Sequence, residues 1–259
     1  MHGKNKTICI AGKNKCAIDC LKYLIKNYKN INILALPNES DKGYDGWQKS
    51  FKRFAKQKKI SITNLNNLQK QKNLFLFSLE YEKILNIKKF NTKNLFNFHF
   101  SLLPKYRGCH TNYFQIKNGE KMSGVTLHKI DRGIDTGDVI DSLKFKISKN
   151  STAYENYDKL LNKSVLLFKK NIKRILNGKY RIKKQNLKKG SYFSRRSVNY
   201  KSLINLKEIK HNLTTHNQIR SLIFEPFQLP IYNDKKIIKS IFKNKKIRLL
   251  YLKWNLKLH

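Results

Sequence analysis

Apolar positions in the first hundred residues follow two spacings. Short uninterrupted apolar runs, as in TICIAG at 7–12, NINILALPN at 30–38 and NLFLFSLE at 73–80, are typical of strands buried on both faces. Between them apolar residues recur every three to four positions, as in KNKCAIDCLKYLIKNYK at 13–29, which predicts amphipathic helices. Strands that alternate with helices predict an α/β fold with a mostly parallel, Rossmann-like sheet.

The second half of the chain changes character after one long helix. That helix is predicted from about Ser151 to Asn177, because Thr152 and Glu155 form a capping box and Gly178 ends the pattern. The stretch 180–190 is basic and without apolar periodicity, which predicts a linker. We therefore expect one domain over 1–182 and a small β-rich C-terminal domain over 183–259, with strands and turns in YFSRRSVNY (192–200), PFQLPIYNDKKIIKSIF (226–242) and IRLLYLKW (247–254).

The charge balance raises the question of a polyanionic partner. Lys and Arg number 56 against 16 Asp and Glu, a formal net charge of +40. Such an excess suits nucleic acid or a membrane surface. It also suits compositional drift, because Lys, Asn and Ile are frequent everywhere and the charge is not gathered into one tract. The even spread favours drift, and an anionic small-molecule substrate fits either interpretation.

The four cysteines, Cys9, Cys16, Cys20 and Cys109, form no CxxC pair, so structural thiols in a reducing cytoplasm are expected and zinc is not. TICIAG is too short for a signal peptide and is followed by lysines. No apolar run reaches the ~18 residues that a membrane span needs, so membrane insertion is not expected. The turn AGKNKC lacks the glycine spacing of a dinucleotide fingerprint, which argues against NAD or FAD.

Candidate chemistry lies at the end of the strand LFNFHF. Asn97 and His99 are two positions apart, so both side chains project from one face of the strand. Asp135 lies in RGIDTGD, where Gly133 and Gly137 permit sharp turns. A carboxylate beside an imidazole raises its basicity, and an amide N–H can stabilise an oxyanion. The three residues predict an acyl-transfer site; His128, which follows Leu127 on the next strand, is left outside it.

Two motifs give the sequence a family resemblance. NFHFSLLPKYRG at 97–108 and GIDTGD at 133–138 resemble, in order and spacing, the signature of the folate-dependent formyltransferases. This group includes methionyl-tRNA formyltransferase, glycinamide ribonucleotide transformylase and the nucleotide-sugar N-formyltransferases. The resemblance covers about residues 5–180 and implies that 1–182 is a Rossmann-like catalytic domain.

The resemblance also implies the reaction: transfer of a formyl group from N10-formyltetrahydrofolate to a primary amine, without a metal. Asn97 and His99 would stabilise the oxyanion, and His99 with Asp135 would handle the protons. The same family pattern implies a folate site near the loop of Asp135 and the segment after the preceding strand. The folate-binding candidates are Leu79, Glu80, Tyr81, Lys83, Asp131 and Gly133.

Within the family, three stretches most resemble the nucleotide-sugar enzymes: AGKNK at 11–15, LPNESDKGYDGWQKSF at 36–51 and IRSLIFEPFQLPIYNDKKI at 219–237. This implies a dTDP-linked amino sugar, dTDP-4-amino-4,6-dideoxyglucose or a 3-amino relative, for O-antigen and lipopolysaccharide synthesis, and a homodimer. Cationic side chains would bind the diphosphate, and aromatic rings would pack against the thymine. The substrate-binding candidates are Lys13, Asn14, Trp47, Tyr106, Arg107, Arg220, Phe227, Gln228 and Tyr232.

Two other functions stay open at this point. A methionyl-tRNA formyltransferase with a reduced C-terminal domain would use the positive charge for RNA. A non-catalytic, basic nucleic-acid-binding protein would keep the fold and lose the chemistry. The intact set of Asn97, His99 and Asp135 argues against the non-catalytic protein. About 70 residues follow the linker, which are few for the C-terminal domain of the tRNA enzyme. We therefore do not expect a nucleic acid partner.

Overall fold

The computed structural model of the protein describes residues 6–207, 212–225 and 227–237. These residues form two compact units. Unit 1 contains the described residues up to Arg107 together with Gly124–Leu143 and Leu160–Ser191. Unit 2 contains Gly108–Ser123, Lys144–Lys159 and the described residues from Tyr192 onward. The division into domains at 182 and 183 stays a prediction.

The strands follow the apolar runs of the sequence. The one that spans Leu74–Leu79 is buried at every position, and the one that spans Thr7–Gly12 at every position but its first, as expected for strands covered on both faces. The described strands are β1 (Thr7–Gly12), β2 (Asn32–Pro37), β3 (Ser61–Ile62), β4 (Leu74–Leu79), β5 (Leu95–His99), β6 (Arg107–Gly108), β7 (Met122–Lys129), β8 (Val139–Lys146), β9 (Tyr192–Phe193), β10 (Ile231–Tyr232) and β11 (Lys235–Lys236).

The main sheet has the order β3-β2-β1-β4-β5-β7-β8. The pairs β1/β2, β1/β4, β2/β3 and β4/β5 are parallel, whereas β5 and β7 are antiparallel. This confirms the predicted α/β fold with a mostly parallel sheet. The chain runs outward from β1 in one direction and from β4 in the other, so the crevice at the carboxyl ends of β1 and β4 is the topological switch point where such sheets bind ligands.

The helices have identifiable ends. Thr152 N donates to Glu155 Oε2 (3.1 Å) and Glu155 N to Thr152 Oγ1 (3.2 Å), which confirms the capping box that starts the longest helix. After that helix the chain turns at Gly178, whose φ is 66°. The described helices are α1 (Asn14–Asn27), α2 (Phe51–Gln57), α3 (Leu65–Gln69), α4 (Thr111–Lys117), α5 (Ala153–Leu176), α6 (Tyr200–Leu203) and α7 (Leu213–Leu222), with 3₁₀ turns at Ile87–Lys89, Leu187–Lys189 and Arg195–Ser197.

The small antiparallel sheet predicted near the C-terminus is confirmed. In it β10 and β11 pair around Asn233 and Asp234, whose φ values of 46° and 59° suit a tight hairpin. The sequence pattern missed α7, which begins where the Asn212 side chain accepts a hydrogen bond from Thr215 N (2.9 Å). The strand predicted at 247–254 lies outside the described residues.

Candidate active site

Strand β5 carries two of the polar side chains predicted to be catalytic. Its neighbour β7 runs antiparallel to it, with Asn97 directly opposite His128. On its other side β4 places Ser78 beside Asn97. His99 is the last residue of β5 and is 6% exposed. The polar side chains of β5 therefore lie beside the carboxyl end of β4, close to the topological switch point.

Of the three residues predicted to be catalytic, Asp135 lies within hydrogen-bonding distance of the other two. His99 Nδ1 is 3.3 Å from Asp135 Oδ2. The amide nitrogen of Asn97 donates to the other carboxylate oxygen, Oδ1, at 3.1 Å. Asp135 thus bridges two side chains that β5 holds in a fixed relation. The arrangement joins an imidazole, a carboxylate and an amide donor at one point of unit 1.

Both nitrogens of His99 face oxygen acceptors. Nε2 lies 2.7 Å from the carbonyl oxygen of Tyr106, while Nδ1 faces Asp135. Burial lowers the pKa of His99 below its ordinary value, against the opposing effects of the Asp135 carboxylate and the Tyr106 carbonyl. The resting imidazole is therefore neutral at pH 7. Once it accepts a proton, both N–H groups have acceptors in place, which suits a general base.

The loop that carries Asp135 is fixed by its own residues. Asp135 has a φ of 55°, an uncommon conformation for a non-glycine residue. Asp131 Oδ1 accepts hydrogen bonds from Gly133 N (3.1 Å) and Thr136 Oγ1 (2.7 Å). A Cβ at Gly137 would lie 1.8 Å from the Lys129 carbonyl oxygen. Asp131 and Gly133, predicted to bind folate, are thus also residues that shape this loop.

His128, left outside the predicted set, belongs to this cluster. Its Nδ1 lies 2.7 Å from the carbonyl oxygen of Lys129, which places the proton on Nδ1 and leaves Nε2 as an acceptor. Nε2 is 3.2 Å from Asn97 Nδ2 and 3.5 Å from Asp135 Oδ1. Since both neighbours of that end of Asn97 are acceptors, the amide nitrogen must lie there. The signal in the sequence was the even spacing of Thr126 and His128 on a strand opposite β5.

The segment after β4, predicted to bind folate, lies at the switch point. Leu79 is buried, and its carbonyl oxygen accepts from the backbone N–H of Lys13 at 3.3 Å. Glu80 has a φ of 59°, and its carboxylate accepts from the Asn14 side chain. Asn38 donates to the Glu80 carbonyl oxygen at 3.0 Å. The loops after β1, β2 and β4 are therefore tied together around Glu80.

The other two candidates of this segment differ in exposure. Tyr81 is half-buried, and burial raises its pKa to about 12. Lys83 is exposed and forms an ion pair with Glu39. Lys13 precedes α1 as its N-cap, and Asn14 is 2% exposed. The structure thus brings two substrate candidates, Lys13 and Asn14, beside two folate candidates, Leu79 and Glu80.

Tyr106 and Arg107 lie next to the catalytic cluster in sequence and space. Tyr106 is buried, has a φ of 58° and presents its carbonyl oxygen to His99. Arg107 is half-buried, and its Nε has no hydrogen-bond partner among the described residues. Trp47, by contrast, is 44% exposed in the loop before α2. Contacts of these side chains with a substrate stay predictions.

Four substrate candidates belong to unit 2. Phe227 is 70% exposed, Gln228 is half-buried, and Tyr232 packs beside the cluster of Ile219, Ile223 and Ile237. Arg220 is 4% exposed and donates to Asn217 Oδ1 (2.9 Å) and to the Ser151 carbonyl oxygen (2.8 Å). Its guanidinium therefore holds unit 2 together, and these contacts do not support a role in diphosphate binding.

Among residues 6–207, 212–225 and 227–237, no group of three or more His, Cys, Asp or Glu side chains is arranged to hold a metal ion. None of the helices in this part of the chain combines the length and apolarity needed to cross a membrane.

Comparison with known proteins agrees with this geometry. The model of the formyl transferase family matches residues 10–171, more than half of the chain. An N-formyltransferase from Helicobacter canadensis, solved with folinic acid and dTDP-3-aminofucose, is 44% identical; the match covers 90% of this chain and 86% of that one, with a TM-score of 0.84. WlaRD, a sugar 3N-formyltransferase solved with dTDP and 5-N-formyl-THF, is also 44% identical over 91% and 85%, with a TM-score of 0.85.

Enzymes that act on tRNA are also similar in sequence. The methionyl-tRNA formyltransferase of Clostridioides difficile is 35% identical over 164 residues, which are 63% of this chain and 50% of that protein. The chain spans half or less of the length of the first curated relatives that it matches.

Proposed function

Because the chain belongs to the formyl transferase family, we propose that it transfers the formyl group of N10-formyltetrahydrofolate to the amino group of a dTDP-linked amino sugar. The observation that carries this proposal is the meeting of Asn97, His99 and Asp135 within 3.3 Å contacts at the end of β5. A neutral imidazole, a carboxylate and an amide donor are the groups that acyl transfer to an amine requires.

In the proposed reaction the amine nitrogen would form a bond to the formyl carbon, and the bond from that carbon to N10 of the folate would break. N10 of the departing tetrahydrofolate would take up the proton that the amine releases, by way of His99. His99, neutral at rest because burial lowers its pKa, accepts the proton that the attacking amine releases. Asp135 and the Tyr106 carbonyl then hold the imidazolium between two acceptors. Asn97 has two amide hydrogens, directed at Asp135 and His128, and would turn one of them to the formyl oxygen as negative charge develops there. Its nitrogen already points into the cluster, because His128 and Asp135 both accept from it.

Polar and charged groups at the switch point support the binding of a folate and a nucleotide sugar near this cluster. Glu80, with its backbone fixed by Asn38 and its carboxylate by Asn14, offers a charged acceptor at the end of β4. Lys13 supplies a cation at the start of α1. We propose that Leu79, Glu80, Tyr81, Lys83, Asp131 and Gly133 contact the folate, and that Lys13, Asn14, Trp47, Tyr106 and Arg107 contact the sugar nucleotide. A role for Phe227, Gln228 and Tyr232 of unit 2 in substrate binding stays a prediction.

Two relatives at 44% identity support one position for the sugar amine. Both are described by their names or ligands as acting at a 3-amino group, one with dTDP-3-aminofucose and one as a 3N-formyltransferase. This supports a dTDP-3-amino-3,6-dideoxyhexose as the acceptor, ahead of the 4-amino-4,6-dideoxyglucose that the sequence pattern implied. A cytoplasmic homodimer that serves O-antigen or lipopolysaccharide synthesis stays a prediction.

A second candidate is a methionyl-tRNA formyltransferase. The sequence similarity to the Clostridioides difficile enzyme and the net charge of +40 favour it. The two candidates share the formyl donor and the catalytic residues, so they differ only in the amine.

The deciding experiment is a formyl-transfer assay with N10-formyltetrahydrofolate against three acceptors in parallel: a dTDP-3-amino sugar, dTDP-4-amino-4,6-dideoxyglucose and methionyl-tRNA. We expect turnover of the 3-amino sugar. Turnover of the 4-amino sugar alone would show that the acceptor amine is at position 4 of the sugar and not at position 3. Turnover of the tRNA alone would establish a methionyl-tRNA formyltransferase. A chain that binds RNA with a steep salt dependence and formylates none of the three would be a nucleic-acid-binding protein.

A further inference from the structure

Residues 180–190, predicted to be a linker, and the next residue, Ser191, are fastened to the rest of unit 1. Lys183 and Val139 exchange two backbone hydrogen bonds, of 2.9 and 2.8 Å. The ring of Tyr180 packs edge-on against Phe96 with centroids 6.0 Å apart. A Cβ at Gly190 would lie 2.4 Å from the Pro104 carbonyl oxygen, so the two backbones are in close contact. This stretch lacks apolar periodicity because it is attached to the rest of unit 1 through its backbone.

In the middle of this segment Gln185 holds the loop of Asp135. Its side-chain Nε2 donates to the carbonyl oxygens of Asp135 (3.0 Å) and Gly137 (2.7 Å). Asp135 has a φ of 55°, a conformation that costs free energy unless the surroundings impose it. One amide group therefore fixes the backbone on both sides of Thr136, and with it the position of the carboxylate that faces His99 Nδ1.

At the carboxyl end of this segment Ser191 holds the loop of Tyr106. Ser191 Oγ accepts from Tyr106 N at 2.8 Å, and the Ser191 carbonyl oxygen accepts from Arg107 N at 2.9 Å. Tyr106 also has a left-handed φ, of 58°. Its carbonyl oxygen is the acceptor at His99 Nε2. Two residues six positions apart thus fix the acceptors at the two nitrogens of one histidine.

We propose that Gln185 and Ser191 are positioning residues for the formyl-transfer reaction, acting through the Asp135 carboxylate and the Tyr106 carbonyl that flank His99. This inference rests on the proposed function for its activity measurement. Gln185 and Ser191 contact the backbone of these two residues and so set the distance and direction of the two acceptors. A misplacement of about 1 Å in such a group lowers turnover by up to ~100-fold.

The test is Gln185→Met, which keeps the length of the side chain and removes the amide donor without adding charge. Gln57→Met, at the exposed end of α2, is the matched control. We expect Gln185→Met to lower kcat by about 10- to 100-fold with little change in KM. The Asp135 carboxylate raises the His99 pKa, so its displacement should lower that pKa further and move the acidic limb of the kcat profile to lower pH.

The second measurement needs no substrate: NMR titration of the His99 imidazole, assigned with His99→Asn. A downward shift of its pKa in Gln185→Met, absent in Gln57→Met, supports the proposal even if no sugar is turned over and the proposed function fails. An unchanged titration together with wild-type kcat overturns it. If Gln185→Met does not fold, Ser191→Ala decides by the same two measurements, with the exposed Ser142→Ala as its control.

Discussion

The Nε2 atom of His128 lies 3.2 Å from the amide nitrogen of Asn97, straight across the antiparallel ladder of β5 and β7. Because Nδ1 faces the Lys129 carbonyl oxygen as a donor, Nε2 of the neutral ring is the acceptor. His128 therefore fixes which end of the Asn97 side chain points at Asp135. The amide that is proposed to stabilise the formyl oxygen is oriented by this histidine.

His128→Leu should lower kcat by about 10- to 100-fold, since it removes the acceptor that orients Asn97. His128→Gln should keep most of the activity, because a Gln amide oxygen reaches the place of Nε2. Steady-state kinetics on both variants measure the difference, with His216→Leu in unit 2 as the control. Equal losses in the Leu and Gln variants would mean that His128 acts by filling space or by its own titration.

His99→Asn should lower turnover by roughly 100-fold or more, because the site loses its general base. The Asn side chain keeps a polar group at the end of β5, so the fold and the binding of folate should be nearly unchanged. Calorimetric folate binding and stopped assays on the same preparation separate the two effects. Near-normal turnover would remove His99 from the mechanism.

Asp135→Asn tests the electrostatic part of the same pair. Burial lowers the pKa of His99, and the Asp135 carboxylate partly reverses this. Without the charge the His99 pKa should fall further, so the acidic limb of kcat/KM should move to lower pH while the maximum rate drops by about 100-fold. A pH–rate profile measures both quantities. An acidic limb that stays in place would show that the two groups are not coupled.

The lowered pKa of His99 also predicts how the stability of the protein changes in acid. His99 binds a proton less readily in the folded chain than in the unfolded chain, whose histidines have a pKa of about 6.5. Stability should therefore decrease as the pH falls below about 6.5 and level off once the folded pKa is passed. Urea unfolding at pH 7 and pH 5 should show a smaller loss for His99→Asn than for the wild type. The same loss in both proteins would assign the acid sensitivity to other groups.

Local pattern was sufficient for much of the fold and for three residues that the structure brings together. Uninterrupted apolar runs predicted β1 and β4, and the Thr152–Glu155 capping box located the start of α5, because each signal lies within a few neighbouring residues. Asn97, His99 and Asp135 were found from strand alternation and glycine-bounded turns. All these features depend on backbone geometry that short stretches encode.

The residues that were missed depend on contacts between distant segments. His128 became visible only through its register opposite Asn97, 31 positions away, and Gln185 through hydrogen bonds to a loop 48 to 50 positions away. Arg220 was assigned to a diphosphate because its charge suggests a ligand, whereas burial turned that charge toward carbonyl groups of unit 2. Periodicity contains no information on such pairings.

The turn after β1 offers a test of the switch point itself. A Cβ at Gly12 would lie 1.9 Å from the Leu79 carbonyl oxygen, the atom that accepts the Lys13 N–H. Gly12→Ala must therefore push β1 and β4 apart at their carboxyl ends, where Asn14 contacts Glu80. We expect a loss of about 1–3 kcal/mol of stability and a raised KM for folate or sugar.

Gly46→Ala is the matched control, because no atom lies within 4 Å of the added Cβ and its φ is not in the left-handed region. It should change the free energy of unfolding by less than about 0.5 kcal/mol and leave both KM values alone. Urea unfolding and kinetics with each substrate varied in turn give the comparison. If Gly12→Ala loses stability but keeps both KM values, the loops at β1 and β4 support the fold without contacting either substrate. A raised KM for one substrate alone would identify which of the two binds beside Glu80.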